Sequence, residues 1–448
     1  MQISSNIPGS RPLNRIAQAP AGSRPSAVAS ETFLASESPQ IAICPRSLMC
    51  PSTEVQAPIA PASAAELKQA ARAVNNFSFD LYRQLSAEKV GESFFASPFN
   101  VNGCLGMVLA GARGETEASL AKGLHCDELR GDRVHAGIAA LNSSAVTRGD
   151  GVNVSIANRV FADNQFQVED GFKNVTEQTY GAQARNLAIR ADNEGSRQVI
   201  NEQITADTNG KIKDLLPEGA LTSDSVMVLT SAIHFKGDWK TAFDKNNTYA
   251  ERFAGSKGGQ VDMMHQTNEF KFATMKFDGT RPTGWREEGD FKAIELPYKN
   301  ERFSMVAMVP CGDRKLEELE AHLNADTLEN ISNQMVKDEV DVALPKFKTE
   351  SDFSLKPALQ RMGMENLFAG ADLSGINKEA DLVVSDVFHK ANVEVNEEGS
   401  EFAAATGAVI GLECVRMTPE FKADRPFVYM IKDNESGAVL CTGRVSNP

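Results

Sequence analysis

One stretch near the carboxyl end of the chain alternates as a strand and then changes abruptly into small residues. Residues 393–396 have the period-two pattern of a β-strand, whereas residues 399–408 are mostly Gly, Ser, Ala and Thr. This segment has too few large apolar side chains to form a core element, and it lacks the proline and charge density of a linker. Small residues can enter a narrow gap between two existing strands, because each can hydrogen-bond on both sides. The other interpretation is a short surface helix formed by the alanine run.

Three motifs around this stretch resemble those of the serpin family. Residues 395–401 (VNEEGSE) match the hinge of the serpin reactive loop, residues 421–427 (FKADRPF) match the strand after the loop, and residues 443–448 fit the family's ending. The resemblance implies an α+β serpin fold with three β-sheets, about eight or nine helices and an exposed reactive-centre loop. It also implies a metastable protease inhibitor, a suicide substrate whose cut loop inserts into the main sheet.

Further motifs in family order extend the resemblance over about residues 66–448. They are FFASPFNV at 94–101, GARGET at 111–116, TNGKI at 208–212, HFKGDW at 234–239, MMHQ at 263–266, ELPYK at 295–299, LPKFK at 344–348 and DLSGI at 372–376. Residues 1–65 instead are rich in Pro, Ser and Ala without any period, which predicts a disordered extension before one large domain. Ser63 is expected to cap the first helix of the domain.

The first thirty residues carry Arg11, Arg15 and Arg24 with no acidic residue, and they lack the continuous apolar core of a secretory signal peptide. Three interpretations stay open: a plain unstructured extension, an organelle transit sequence, and an address for a non-classical bacterial secretion route. No run of apolar residues is long enough to predict a transmembrane segment. We therefore expect either the extracellular space, reached by non-classical export, or the cytoplasm.

Composition argues against several classes of partner and cofactor. A formal charge of -14 disfavours nonspecific nucleic-acid binding, and the absence of a dense Lys/Arg cluster disfavours a glycosaminoglycan partner. The seven cysteines are odd in number and include no C-x-x-C pair, so neither a disulfide scaffold nor a zinc site is expected. Cys104 and Cys441 lie in apolar runs and are predicted to be core residues. We expect a monomer without membrane contact, metal or cofactor.

The chain carries no recognisable catalytic motif. Neither a G-x-S-x-G elbow nor the H-E-x-x-H, P-loop or dinucleotide-binding patterns occur, so an enzyme is not expected. The histidines are isolated from one another and are interpreted as ordinary core or surface residues rather than metal ligands. They are His125, His135, His234, His265, His322 and His389.

The resemblance makes His389 an exception. It matches the serpin histidine under the centre of the main sheet, which helps to hold two central strands in their metastable spacing. Its usual partners are a serine soon after the Ser-Pro motif, which here begins at Ser97, and an asparagine in a central strand. This chain has Asn100 where the serine is expected and Ser231 where the asparagine is expected. We expect the exchanged pair still to form one hydrogen-bonded cluster with His389, because an amide and a hydroxyl can swap sides. The alternative is that Asn100 faces solvent.

The resemblance also places the bond that a protease would cut. Serpin loops usually span sixteen residues from the first hinge glutamate, here Glu397, to the residue before that bond, which gives Glu413 followed by Cys414. An acidic residue followed by Cys resembles the reactive bond of serpins aimed at granzyme-like serine proteases and caspases, whose specificity pockets carry Arg. We therefore expect an acid-specific protease partner, of the serine type in preference to the cysteine type. The alternative is Arg416, which would attract trypsin-like enzymes.

One hinge position departs from the inhibitory pattern. The predicted hinge consists of Glu397, Glu398, Gly399, Ser400, Glu401, Phe402, Ala403, Ala404, Ala405 and Thr406. Because strand side chains alternate and Glu401 must face solvent, Ser400 and Phe402 would point into the protein. Inhibitory serpins usually have a small residue where Phe402 stands, and overpacking costs about 1 to 3 kcal/mol, which would slow insertion. The competing function is therefore a non-inhibitory serpin acting as a carrier, chaperone or storage protein.

Trp239 closes the HFKGDW motif. It matches the family tryptophan at the top of the main sheet, where the loop first enters. The alternative is that Trp239 is only an aromatic packing anchor, which is compatible with that position.

Overall fold

The computed structural model describes residues 61–129, 131–282, 288–378, 382–400 and 418–448. All of these belong to one compact unit, Gln56–Pro448. Most of the predicted amino-terminal extension lies outside the described residues, and so does the loop segment 401–417.

The described part of the chain contains nine α-helices and two short 3-10 helices. The α-helices are α1 (Ala64–Glu88), α2 (Pro98–Gly111), α3 (Gly114–Gly123), α4 (Asp132–Ala145), α5 (Asp170–Tyr180), α6 (Asn193–Asp207), α7 (Leu316–His322), α8 (Ala325–Gln334) and α9 (Lys356–Arg361). The 3-10 helices are Lys245–Asn247 and Glu365–Leu367.

The first helix begins where the sequence predicted. The Ser63 hydroxyl accepts a hydrogen bond from the Glu66 backbone N–H, and the Glu66 carboxylate accepts one from the Ser63 backbone N–H at 2.8 Å. This capping box satisfies two N–H groups that the helix itself cannot pair. Ala71, Val74 and Phe77 on this helix are buried and Leu67 is partly buried, and the predicted cap at Ser63 is confirmed.

Sixteen strands are described. They are β1 (Phe94–Ala96), β2 (Thr147–Gly149), β3 (Val152–Asp163), β4 (Ala184–Leu187), β5 (Met227–Asp238), β6 (Thr248–Arg252), β7 (Gln260–Met275), β8 (Phe291–Pro297), β9 (Phe303–Pro310), β10 (Val336–Pro345), β11 (Phe347–Ser354), β12 (Val384–Asn396), β13 (Gly399–Ser400), β14 (Glu420–Lys422), β15 (Phe427–Asp433) and β16 (Val439–Val445).

These strands form two hydrogen-bonded networks. The seven-stranded sheet has the order β11-β12-β13-β5-β3-β2, with β4 beside β3. The nine-stranded network has the order β1-β16-β15-β9-β8-β7-β10-β14, with β6 beside β7. The 16-residue strand β7 pairs with β6 near its start and with β8 near its end. The seven-stranded sheet is therefore one of the three expected sheets, and the nine-stranded network contains the other two, which share β7. The predicted α+β fold is confirmed.

Helix α2 lies beneath the seven-stranded sheet and carries part of the candidate site. The helix is apolar on nearly every side, and most of its residues are buried, which is typical of a helix enclosed on all faces. A Cβ on Gly111 would lie 2.2 Å from the Cγ1 atom of Ile376, so glycine permits a close approach there. The predicted core residues Cys104 on α2 and Cys441 on β16 are both fully buried, as expected.

Within the described ranges, no helix is both long and apolar enough to cross a membrane. The four cysteines of these ranges, Cys104, Cys126, Cys311 and Cys441, are free thiols. No group of three or more His, Cys, Asp or Glu side chains in the described residues could hold a metal ion.

Candidate functional site

The two central strands of the seven-stranded sheet separate at one end. Strands β5 and β12 run parallel and pair directly from Val384 opposite Met227 to Ala391 opposite Ile233. Beyond these pairs β13 lies between them and is antiparallel to both. The chain leaving β12 therefore turns back through Glu397 and Glu398 and places Gly399 and Ser400 in the opening between the central strands.

Gly399 is fixed by the width of this opening. Its φ angle is +152°, and a Cβ at this position would lie 2.1 Å from the Gly237 carbonyl oxygen and 2.6 Å from the Asp238 Cα. No side chain fits at that distance, and the positive φ itself disfavours residues other than glycine. The glycine of the predicted hinge is thus required by the backbone that faces it.

Ser400 occupies the first inward-facing position of the returning chain. Its side chain is buried, and its Oγ lies 3.0 Å from the Tyr298 hydroxyl oxygen. The Tyr298 ring stacks on Trp239 with a centroid distance of 4.8 Å and an interplanar angle of 5°. The Trp239 indole N–H donates to the Asn396 carbonyl oxygen at 3.0 Å. The Trp239 backbone N–H also donates to the Glu398 carbonyl oxygen at 2.9 Å, so Trp239 lies at the top of the opening and contacts the turn at both Asn396 and Glu398.

The two hinge glutamates are held by lysines from other elements. Glu397 pairs with Lys346 at 3.1 Å, and Glu398 pairs with Lys245 at 2.6 Å. Both glutamates are nearly buried, whereas Lys245 is largely exposed. Burial raises the pKa of Glu397, but hydrogen bonds from its own backbone N–H and from Lys346 outweigh it, so the pKa lies below its ordinary value. Glu397 is thus an ionised carboxylate at neutral pH.

Below the opening, His389 and Ser231 face each other across the two central strands. The His389 Nδ1–H donates to the Ser231 carbonyl oxygen at 3.0 Å, and the Ser97 backbone N–H donates to His389 Nε2 at 2.9 Å. The ring therefore carries its proton on Nδ1 and is neutral. Burial lowers the pKa of His389 to about 4, although the hydrogen bond to the Ser231 carbonyl opposes the shift.

The exchanged residue pair lies in the same cluster. The Asn100 amide donates to Ser231 Oγ at 2.9 Å, and that oxygen lies 3.2 Å from His389 Nδ1. Asn100 and Ser231 are fully buried, so the alternative in which Asn100 faces solvent is wrong. Ser97 caps α2 by accepting from the Asn100 backbone N–H at 3.2 Å, and its hydroxyl donates to the Leu440 carbonyl oxygen at 2.6 Å. The structure therefore joins all four residues of the predicted cluster.

Three residues of the site were not singled out from the sequence. Tyr298 and Lys346 belong to the ELPYK and LPKFK motifs, which marked the family but gave no role to either side chain. Lys245 had no sequence signal. Other predicted site residues lie outside the described residues, namely Glu401, Phe402, Ala403, Ala404, Ala405, Thr406, Glu413, Cys414 and Arg416.

We predict that Asn100→Ser destabilises the protein by about 1 to 3 kcal/mol, because Ser231 then loses a buried hydrogen-bond donor. The double variant Asn100→Ser/Ser231→Asn should recover most of the loss, because the amide and hydroxyl are again both present. The measurement is the midpoint of denaturant unfolding for wild type, both single variants and the double variant. Additive losses in the double variant would contradict the cluster.

We also predict a loss of stability in mild acid that depends on His389. Its pKa in the folded protein is lowered from 6.5 to about 4, so neutral His389 contributes fully above pH 6.5. This contribution falls by up to about 3 kcal/mol as the pH drops from 6.5 through 4, because the unfolded chain binds the proton first. Unfolding midpoints measured between pH 7 and pH 4.5 should show this slope in wild type and in the control His322→Gln, whereas His389→Gln should lose it.

Most of the chain is similar to known proteins. A family model described as "Serpin (serine protease inhibitor)" matches residues 72–448. Leukocyte elastase inhibitor from Sus scrofa is 34% identical over 394 residues, which cover 85% of this chain and 100% of that protein. Serpin B4 from Homo sapiens is 36% identical over 392 residues, which cover 83% of this chain and 97% of that protein.

Solved structures agree with this result. Human glycosylated kallistatin superposes with a TM-score of 0.75 at 27% identity, covering 86% of this chain and 99% of that chain. Uncleaved ovalbumin superposes with a TM-score of 0.74 at 28% identity, covering 85% of this chain and 100% of that chain. The family model and the curated relatives cover the chain from α1 to its last strand, and the chain belongs to the serpin family.

Proposed function

We propose that the chain inhibits an endopeptidase, preferably of the serine type, as a suicide substrate. The observation that carries this proposal is the two-residue strand β13, Gly399–Ser400, which already occupies the opening between β5 and β12. Strand β13 is antiparallel to both neighbours, which is the direction that an inserted continuation of the chain after β12 would have. Leukocyte elastase inhibitor, named for a protease that it inhibits, is among the relatives and supports the same class of partner.

The reaction begins when the protease nucleophile attacks the carbonyl carbon of Glu413 and forms an acyl-enzyme. The bond from Glu413 to Cys414 breaks, and the new amino terminus at Cys414 leaves with β14. Residues 399–413 are then tethered at one end only and can continue the strand that β13 has started. Because this strand is antiparallel to both neighbours, it forms ladder hydrogen bonds on both sides.

Insertion must first separate strands that now pair directly. The advancing strand meets Ile233 opposite Ala391 and then Ser231 opposite His389. About ten additional ladder hydrogen bonds, at about 1 kcal/mol net each, would favour the inserted state by roughly 10 kcal/mol. That free energy is sufficient to pull the attached protease across the molecule and distort its oxyanion hole before water completes hydrolysis.

The target protease is proposed to be specific for acidic residues, because Glu413 precedes the reactive bond and a carboxylate pairs with Arg in the specificity pocket. If the reactive bond instead followed Arg416, the target would be a trypsin-like enzyme. The acting form is proposed to be a monomeric serpin domain of residues 66–448, which carries residues 1–65 as an appended extension.

A non-inhibitory function is the second candidate, because the inward-facing side is closely packed where the hinge enters. Ser400 is buried against Tyr298, and alternation directs Phe402 to the same side, one position deeper. The phenyl ring of Phe402 on that side would need more space than the Ser400 side chain occupies. Overpacking of this kind costs about 1 to 3 kcal/mol. It would make insertion slower than hydrolysis of the acyl-enzyme, so the protease would be released.

The proposed function is tested by mixing the protein with a glutamyl endopeptidase and analysing the mixture on a denaturing gel with mass spectrometry of the released peptide. We predict a stable band at the summed mass and a peptide beginning at Cys414. Glu413→Ala should abolish both with this enzyme. Cleavage after Glu413 without a covalent band would support the non-inhibitory function. Cleavage and trapping only with trypsin would place the reactive bond at Arg416.

Phe402→Ala is predicted to increase the fraction of protease that is trapped rather than released, by about tenfold for each 1.4 kcal/mol of overpacking removed. The measurement is the number of inhibitor molecules cut per protease molecule trapped. Glu401→Ala is the matched control, because its side chain would face solvent in the inserted strand. Equal ratios in Phe402→Ala and wild type would show that Phe402 does not limit insertion.

A further inference from the structure

The two strands of the last hairpin, β15 and β16, are buried on both faces. Every residue of Phe427–Asp433 and of Val439–Val445 is buried, and most of these residues are apolar. When only one face of a strand is buried, a slip of one residue exposes its apolar side chains to water and is disfavoured. A strand that is buried on both faces has no such penalty. The hydrophobic pattern therefore carries little information on the register in which this hairpin docks.

The turn at the end of the hairpin does not specify that register strongly. Asn434 is exposed, and its amide donates to Ser304 Oγ on β9 at 2.6 Å. Water can replace this bond when the hairpin shifts along β9. Asp433 pairs with Arg302, whose side chain is 22% exposed, and it also accepts from the Ser436 hydroxyl, which would move with it. The register must therefore be specified by residues further inside the protein.

Lys432 is one buried cation of the hairpin, and it reaches over β9 to β8. It lies opposite Ser304, and its Nζ is 3.2 Å from Glu295 Oε2, with side chains that are 11% and 6% exposed. Burial raises the pKa of Glu295, but Lys432 and Lys271 outweigh it, so the pKa lies below its ordinary value. A shift of one residue would turn Lys432 to the other face, and a shift of two would move it about 7 Å along β9.

Arg444 is the buried cation on β16, and its guanidinium is enclosed by acceptors. Its Nη1 donates to both carboxylate oxygens of Glu320 at 3.1 and 3.2 Å, and its Nε donates to the Glu92 carbonyl oxygen at 3.0 Å. Its Nη2 donates to the carbonyl oxygens of Ser86 and Lys89, at the end of α1, where carbonyls have no helical partner. A shift of β16 would separate the guanidinium from these acceptors, and a buried charge without a partner is strongly destabilising.

We infer that Lys432 and Arg444 specify the register in which the hairpin formed by β15 and β16 docks. In the observed register each cation meets a carboxylate from an earlier part of the chain, and in a shifted register it is buried without one. The apolar residues stabilise the docked hairpin but allow several registers, and the two cations select one of them. Replacing a buried ion pair by apolar residues of similar volume is often neutral for stability, so stability and selection of the register can be measured separately.

Cysteine pairs report the register directly. Met430 lies opposite Val306 on β9, whereas Met308 would lie opposite it after a shift of two residues. Met430→Cys is combined either with Val306→Cys or with Met308→Cys, the full chain is refolded under oxidising conditions, and the disulfides are identified by mass spectrometry. Directly opposite cysteines are close enough for a disulfide, but cysteines displaced by two residues are about 7 to 8 Å apart and are not.

Both ion pairs are removed by the four-residue variant Lys432→Met, Glu295→Met, Arg444→Met and Glu320→Met. In this variant we predict that the shifted disulfide rises from a trace to about one tenth of the molecules, because no buried charge opposes the shift. The chain that keeps both pairs should form only the native disulfide. Should the variant fail to refold, Lys432→Met/Glu295→Met replaces it, and the shifted disulfide should still rise at least about tenfold.

Lys348→Met/Glu394→Met is the matched control. These residues are also paired across neighbouring strands, at 3.3 Å, but their side chains are 69% and 44% exposed. The control should form only the native disulfide. An unchanged level of shifted disulfide in the variants that lack the buried pairs would overturn the inference, even if their unfolding midpoints fall, since the pairs would then serve stability alone. An equal rise in the control would also overturn it, because any lost ion pair would then have the same effect.

Discussion

The direct pairing of β5 with β12 is the interaction on which the rest of this structure depends. The two strands are hydrogen-bonded from Val384 to Ala391 and are held apart beyond that point by β13. Because the sheet is closed along part of its length and open at one end, a further strand can be added between β5 and β12. The buried side of the sheet and the hinge each act on the boundary between the paired and the open part of these two strands.

The closed part is held by a neutral histidine. His389 donates to the Ser231 carbonyl oxygen and accepts from the Ser97 N–H, so its ring links both central strands to the start of α2. A charged ring could not accept from Ser97, and burial makes the charged form costly. The exchange of Asn100 and Ser231 relative to the family pattern keeps one amide and one hydroxyl beside this ring. The hydrogen bond from the Asn100 amide to Ser231 Oγ is therefore present although both residue types have changed places, whereas Asn100 Oδ1 is buried without a hydrogen-bond partner.

The open part is held by contacts of a different kind. The hinge glutamates pair with Lys245 and Lys346, and Ser400 lies beside Tyr298, so residues from three separate parts of the chain hold the returning segment. The backbone adds a steric requirement, because only glycine at position 399 fits against the Gly237 carbonyl oxygen. Gly399 and Ser400 therefore already lie in the sheet between the two central strands, which is the position that the proposed function requires for the start of an inserted strand.

The sequence by itself determined the features that depend on neighbours along the chain. The Ser63 cap and the strand at residues 393–396 follow from local hydrogen bonding and strand period, and the resemblance to the family motifs supplied the fold and the residues of the His389 cluster. Only the tertiary structure decided which side chains meet the hinge. Tyr298 is 102 residues from Ser400, and Lys245 is 153 residues from Glu398. No periodicity reports such pairs, because they are created by packing one sheet against the end of another.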